Sequence, residues 1–204
     1  MSRSEYYNVL RALARKKRAL HKVDTYAFGL REARMIYKAE GIQIDHWPLP
    51  PKIKALYMCG DGQPSVALKK SLPDQPKLFA LMHEYKHHLT DRESLGNGVI
   101  HCGDYNVNEE IEIGAEVFAA EFIYPEDECV ADLRALDVSR WQPEDVVRFK
   151  KSCTVKVSYA FLCKRLEWFK LIPPNQFAGI KFQKLEEQMF GVPFYRRRGA
   201  TGAR

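Results

Sequence analysis

The sequence predicts an α+β protein: a small antiparallel sheet beside two core helices, followed by a C-terminal helical module. Three observations predict it. Three short segments between residues 43 and 69 alternate or run apolar between proline and glycine breaks, the pattern of strands. Two longer segments, near residues 77–90 and 108–124, space their apolar residues as helices do. After Pro125 the chain turns to short charged segments with helix-start signals. At 204 residues and 46% hydrophobic content, it can bury one mid-sized domain, or a domain with a small appendage.

The elements follow in order. Residues 1–22 carry seven Lys or Arg against one Glu, with Leu10, Leu13, Ala14 and Leu20 at loosely helical spacing. They read as a basic N-terminal arm, solvated and partly packed on the core, with nucleic acid as the alternative use of its charge. Residues 24–40 read as a helix ending at Gly41. Gln43–Trp47, Ala55–Cys59 and Ser65–Lys69 are the three strands, and His46 and Trp47 are taken as structural. A Ser-Leu-Pro-Asp-Gln-Pro turn precedes Lys77–Met82, the opening of a helix apolar nearly all round and therefore buried. Asn108–Tyr124 forms a second helix closed by Pro125, with Glu109, Glu112 and Glu116 on one stripe and Ile111, Ala115, Phe118 and Phe122 on a neighbouring face. Pro143 opens a further helix. Ser158 caps another, with Tyr159, Leu162, Leu166 and Phe169 as its apolar stripe. These two helices fit a helix-turn-helix or a plain bundle, and Lys164 and Arg165 are the strong donors that the second would offer to DNA.

Inside the first core helix stands His83-Glu84-Tyr85-Lys86-His87, an H-E-x-x-H motif. At about 100° per residue, His83 and His87 lie about 40° apart around the helix axis, so both imidazoles can reach one metal ion. Glu84 sits at the edge of that face, where a carboxylate can take a proton from water rather than bind the metal. Two surface histidines on a solvated helix would give the same letters, but a buried helix requires partners for such groups. Catalytic zinc usually has three protein ligands, and by spacing alone Glu109, Glu112 or Glu116 could be the third. Tyr85 should face away from the metal, Lys86 should be solvated or border the cleft, and His88 should be a polar surface residue.

Two motifs carry a resemblance. The strand Val66–Leu68, the proline-containing turn, Phe79 and the H-E-x-x-H, together with Glu112-Ile-Gly-Ala-Glu-Val-Phe-Ala-Ala-Glu-Phe-Ile-Tyr-Pro, resemble the ImmA/IrrE family of metallopeptidases, over roughly residues 24–170. The resemblance implies a zincin-like catalytic domain, expected at 23–130, with a helical module at 131–190; composition marks a basic tail at 191–204. The resemblance also implies zinc held by His83, His87 and Glu112, with Glu84 as the catalytic base. It further implies limited cleavage of a protein partner, a helix-turn-helix transcriptional repressor. The chain departs from the family pattern at Tyr85, at Lys86, where leucine and glycine are common, and at Glu116, where asparagine is usual. For the oxyanion donor the sequence offers only His101 and Tyr105.

Charge and cysteines set further bounds. Subtracting the +6 of residues 1–22 and the +4 of residues 191–204 from the +6 of the whole chain leaves −4 for the middle, so the positive charge belongs to the ends. The ends are expected to modulate affinity for a partner or nucleic acid without entering the chemistry, and the arginine-rich tail is expected to be disordered. Five cysteines without a C-x-x-C pair suggest reduced thiols rather than a disulfide framework. No apolar stretch long enough for a membrane span and no signal peptide are visible, and a soluble cytoplasmic protein is expected. A contrasting reading is a DNA- or repressor-binding regulator whose zinc site is structural or vestigial.

Overall fold

Ser2 starts the first element. Its hydroxyl accepts from the Glu5 amide while the Glu5 carboxylate accepts from the Ser2 amide, a reciprocal cap that satisfies otherwise orphaned donors. In the computed structural model, which describes residues 2–60, 63–95, 99–100 and 105–191, helix α1 then runs Arg3–Leu20. The chain divides into two compact units, one of residues 1–129 with 155–157 and one of 130–154 with 158–204.

In the first unit α1 is an integral helix, not a separate arm. Tyr7, Leu10, Ala14 and Arg18 recur at spacings of three and four and are buried, and the helix packs along α5 (Tyr105–Ile123). Five of the seven basic residues of the segment pair with acids of the same unit: Arg3, Arg11, Arg15, Lys17 and Arg18. Their charge is largely spent internally. Arg15 donates at 2.7 Å to Glu121, which is fully buried, and Arg18 donates to the Phe122 carbonyl and the Thr25 hydroxyl.

Helix α2 spans Leu30–Ala39, later than the expected start at 24. Gly29 before it is extended, and a Cβ there would lie 2.9 Å from Lys156 Nζ. Gly41, at φ +69°, turns the chain out of the helix as expected. Strands β1 (Gln43–Trp47), β2 (Ala55–Gly60) and β3 (Gln63–Lys69) follow, with a two-residue β4 (Val99–Ile100), in the order β1-β3-β2-β4. The sheet is mixed, which corrects the antiparallel expectation: β2 pairs antiparallel with β3 and β4, but β1 pairs parallel with β3. The reason lies in residues 48–54. Three prolines there cannot donate to a tight hairpin, and the segment instead carries the chain across to the far side of β3, with Lys69 Nζ donating to the Pro50 and Pro51 carbonyls.

Helix α3 (Asp74–Thr90) packs on β2, β3 and α5. It begins before the expected Lys77, because Pro76 falls in the first turn, where amides have no helical partner. Every residue from Ala80 to His87 is buried, so the expected core helix is present. Helix α5 brings Glu112, Ala115, Phe118, Ala119 and Phe122 to one buried stripe. Gly114 faces α1 closely: a Cβ there would lie 2.8 Å from Leu10 Cδ1 and from Tyr6. A four-residue α4 (Arg92–Leu95) completes this part of the chain, and helix α6 (Glu126–Arg134) begins in the first unit and ends in the second.

The second unit holds α7 (Pro143–Ser152), α8 (Tyr159–Trp168) and α9 (Phe182–Phe190), with α7 packed on both others. Ser158 caps α8 as read, its hydroxyl accepting from the Phe161 amide at 3.2 Å. Tyr159 stacks on Phe182 with ring centroids 4.9 Å apart. Residues 153–158 join α7 to α8, a longer link than the three or four residues of a helix-turn-helix. Arg165, named above as a DNA donor, is instead buried, its guanidinium near the rings of Phe161 and Phe169. Residues 192–204 of the basic tail lie outside the described residues. Among the described residues no helix is long and apolar enough to cross a membrane.

Candidate metal centre

The i, i+4 spacing on α3 places the His83 and His87 rings 5.0 Å apart. Helix α5 adds Glu112 from its buried stripe. One donor atom from each of these three residues lies within 4.8 Å of the other two. The Nε2 of His83 is 3.3 Å from Glu112 Oε2, and that of His87 is 3.5 Å from Glu112 Oε1. Of the three glutamates left open by spacing, Glu109 is exposed and faces Arg3 at 3.7 Å, and Glu116 is half-buried outside the cluster. Glu112 alone lies on the face that α5 turns to α3, because Ala115, Phe118 and Phe122 fix that face by burial.

The donor set fits a cation. His83 Nε2 and His87 Nε2 are buried and make no hydrogen bond, an arrangement that costs about 1–3 kcal/mol per group, and both nitrogens face the Glu112 carboxylate. A positive ion between them removes both penalties. Two imidazoles and one carboxylate are also the donors zinc accepts, with room left for water.

Asp91 prepares His87 for this role. At the end of α3, its carboxylate accepts the Nδ1 hydrogen of His87 at 2.6 Å, which fixes the tautomer and leaves the Nε2 lone pair toward Glu112. Burial would raise the Asp91 pKa, but the bonds from His87 and Lys86 outweigh it and hold the group below its ordinary value. Glu84, next to His83 in the chain, is also buried.

The residues around the motif differ from expectation in two places. Lys86 is not solvated: it is fully buried, with Nζ donating to Asp91 Oδ2 at 2.8 Å and to the Ile111 carbonyl at 3.3 Å. His88 is half-buried rather than on the surface, its Nδ1 3.1 Å from the Tyr57 hydroxyl and its ring stacked on Tyr85. Tyr85 is buried, packed edge-on to Phe118 and Phe122, and its hydroxyl donates to Glu40 at 2.6 Å. His101 and the Tyr105 side chain lie outside the described residues.

Asp91, Glu40 and Glu121 have roles that reading the sequence did not assign. A signal existed for Asp91, since it stands four residues after His87, the spacing at which helical side chains meet.

A family model described as the IrrE N-terminal-like domain, peptidase family M78, matches residues 38–167. No curated protein matches the chain.

Proposed function

Because the chain belongs to the IrrE N-terminal-like family of peptidases, we propose that it is a metal-dependent endopeptidase in which His83, His87 and Glu112 hold zinc and Glu84 is the general base. The observation that carries this reading is the convergence of two bare imidazole nitrogens and one carboxylate within 4.8 Å, in a chain of a peptidase family.

A zinc ion bound there would polarise a peptide carbonyl and lower the pKa of water from about 9 in the aqueous ion toward 7. Glu84 takes a proton from the attacking water as its oxygen bonds to the carbonyl carbon. The same carboxyl then delivers that proton to the departing nitrogen as the C–N bond breaks. Asp91 keeps His87 in one tautomer throughout. Among the described residues β1 lies at an edge of the sheet, which offers a way to hold an extended peptide by strand addition. We place the protein in the cytoplasm and take its substrate to be a helix-turn-helix transcriptional repressor cleaved at a limited number of bonds. Support for that substrate is the likeness of the two motifs to the family.

The test is Glu84→Gln, which keeps the side chain's size but cannot accept the proton. Purified variant and parent are incubated with the repressor encoded nearest the gene. The variant should retain zinc and fold, cleave at least about a hundredfold more slowly, and hold the uncleaved repressor in a complex. Cleavage at the parental rate, with contaminating protease excluded, sinks the mechanism. Parental activity of Glu84→Gln in cellular derepression would instead favour a regulator that acts by binding alone.

A further inference from the structure

Lys86 stands between the two histidines of the motif and is fully buried. A buried ammonium is tolerated only with good partners, and its partners here belong to the metal centre. Nζ donates to Asp91 Oδ2, the same oxygen that accepts the His87 Nδ1 hydrogen. It also donates to the carbonyl of Ile111 on α5, the residue just before Glu112. One ammonium thus holds the anion that orients an imidazole on α3 and the backbone that presents a carboxylate from α5. The Tyr6 ring lies 6.0 Å from it on the α1 side.

We propose that Lys86 is a positioning residue of the metal centre: it ties Asp91 and Ile111 to one point and so holds His87 and Glu112 in register across two helices. The proposal rests on the reading of His83, His87 and Glu112 as metal donors. Charge and position make opposite demands, which makes the role measurable. A cation close to a bound dication repels it, so by charge alone the loss of Lys86 would tighten metal binding. Loss of positioning loosens it. A residue that only stabilised the fold would change neither the affinity nor the coordination geometry.

Full-length parent, Lys86→Met, Asp91→Asn and the double variant are stripped of metal and titrated with zinc against a competing chelator. The visible spectrum of cobalt(II) added to each reports coordination geometry. Lys86→Met should bind zinc about tenfold or more weakly, the scale of losing a group that orients a ligand, and should shift the cobalt spectrum. The double variant should lose less affinity than the sum of the two single losses, because Lys86 acts in part through the carboxylate that Asp91→Asn removes. Parental or tighter zinc binding by Lys86→Met with an unchanged cobalt spectrum overturns the proposal, as do losses that simply add in the double variant. If Lys86→Met fails to fold because Asp91 is left unpaired, the double variant removes both charges together. Weaker zinc binding by it than by Asp91→Asn alone then supports the proposal, and binding equal to that of Asp91→Asn overturns it. A parent that binds no zinc overturns the reading of the centre and this proposal with it, whereas a parent that binds zinc alongside unaltered variants overturns this proposal alone.

Discussion

Acid should unfold this protein partly through Glu40. One oxygen of that carboxylate, just past the end of α2, gathers Lys17 at 2.8 Å and His21 at 2.9 Å from the α1 side and the Tyr85 hydroxyl at 2.6 Å from α3. Burial would raise its pKa, but these donors more than reverse the effect and hold it at about 2, against an ordinary 4.5. The unfolded chain therefore binds this proton at higher pH than the folded one does. The stabilisation is fully present above about pH 4.5, falls as the pH drops, and is gone below about pH 2. At about 1.4 kcal/mol per pH unit, the full difference is worth about 3 kcal/mol. With 17% of the side chain exposed, solvent screening lowers this to about 1–2 kcal/mol. Urea unfolding of parent and Glu40→Gln, followed from about pH 6 to about pH 3, measures it. The parent's advantage should be largest at the higher pH and lose more than half its size at the lower. Parallel acid curves for the two proteins would refute the assignment.

Other outcomes follow from the same packing. Leu10→Ala, at a position 1% exposed, should cost about 2–5 kcal/mol in urea unfolding; a loss well under about 1 kcal/mol would return α1 to the status of a dispensable arm. Gly114→Ala should gain about 1 kcal/mol of helix propensity but lose about 1–3 by crowding Leu10 and Tyr6, so its melting temperature should fall, and a rise would show that α1 gives way. Chelation should lower the melting temperature reversibly, because zinc at a hundred times its Kd stabilises by about 2.7 kcal/mol. His83→Ala and Glu112→Ala should not respond to the chelator; a full response in Glu112→Ala, lost in Glu109→Ala or Glu116→Ala, would move the third donor.

How far the fold could be read from the sequence depended on the range of each signal. The three strands and the two core helices were legible because their patterns are local, and His83 and His87 came with them because four residues is one helical turn. Glu112 needed the family likeness, since three glutamates share its stripe and only tertiary burial separates them. The parallel pairing of β1 was hidden, because alternation says nothing about which neighbour a strand chooses. Lys86 and Arg165 were read as exposed for a related reason. Both are charged, and the partners that make their burial tolerable, Asp91 with the Ile111 carbonyl for one and two phenylalanine rings for the other, become visible only once the helices are packed.

Residues Val155–Val157 belong to the first unit, although the chain on both sides of them belongs to the second. Val155 and Val157 are buried, so a polypeptide stopped at residue 129 leaves part of the first unit's interior behind. No single cut releases the whole first unit. Recombination that exchanged the helical module would need two junctions and would have to spare a three-residue plug between them. A protease that nicks the chain within residues 155–157 should therefore loosen the first unit, to which those residues belong.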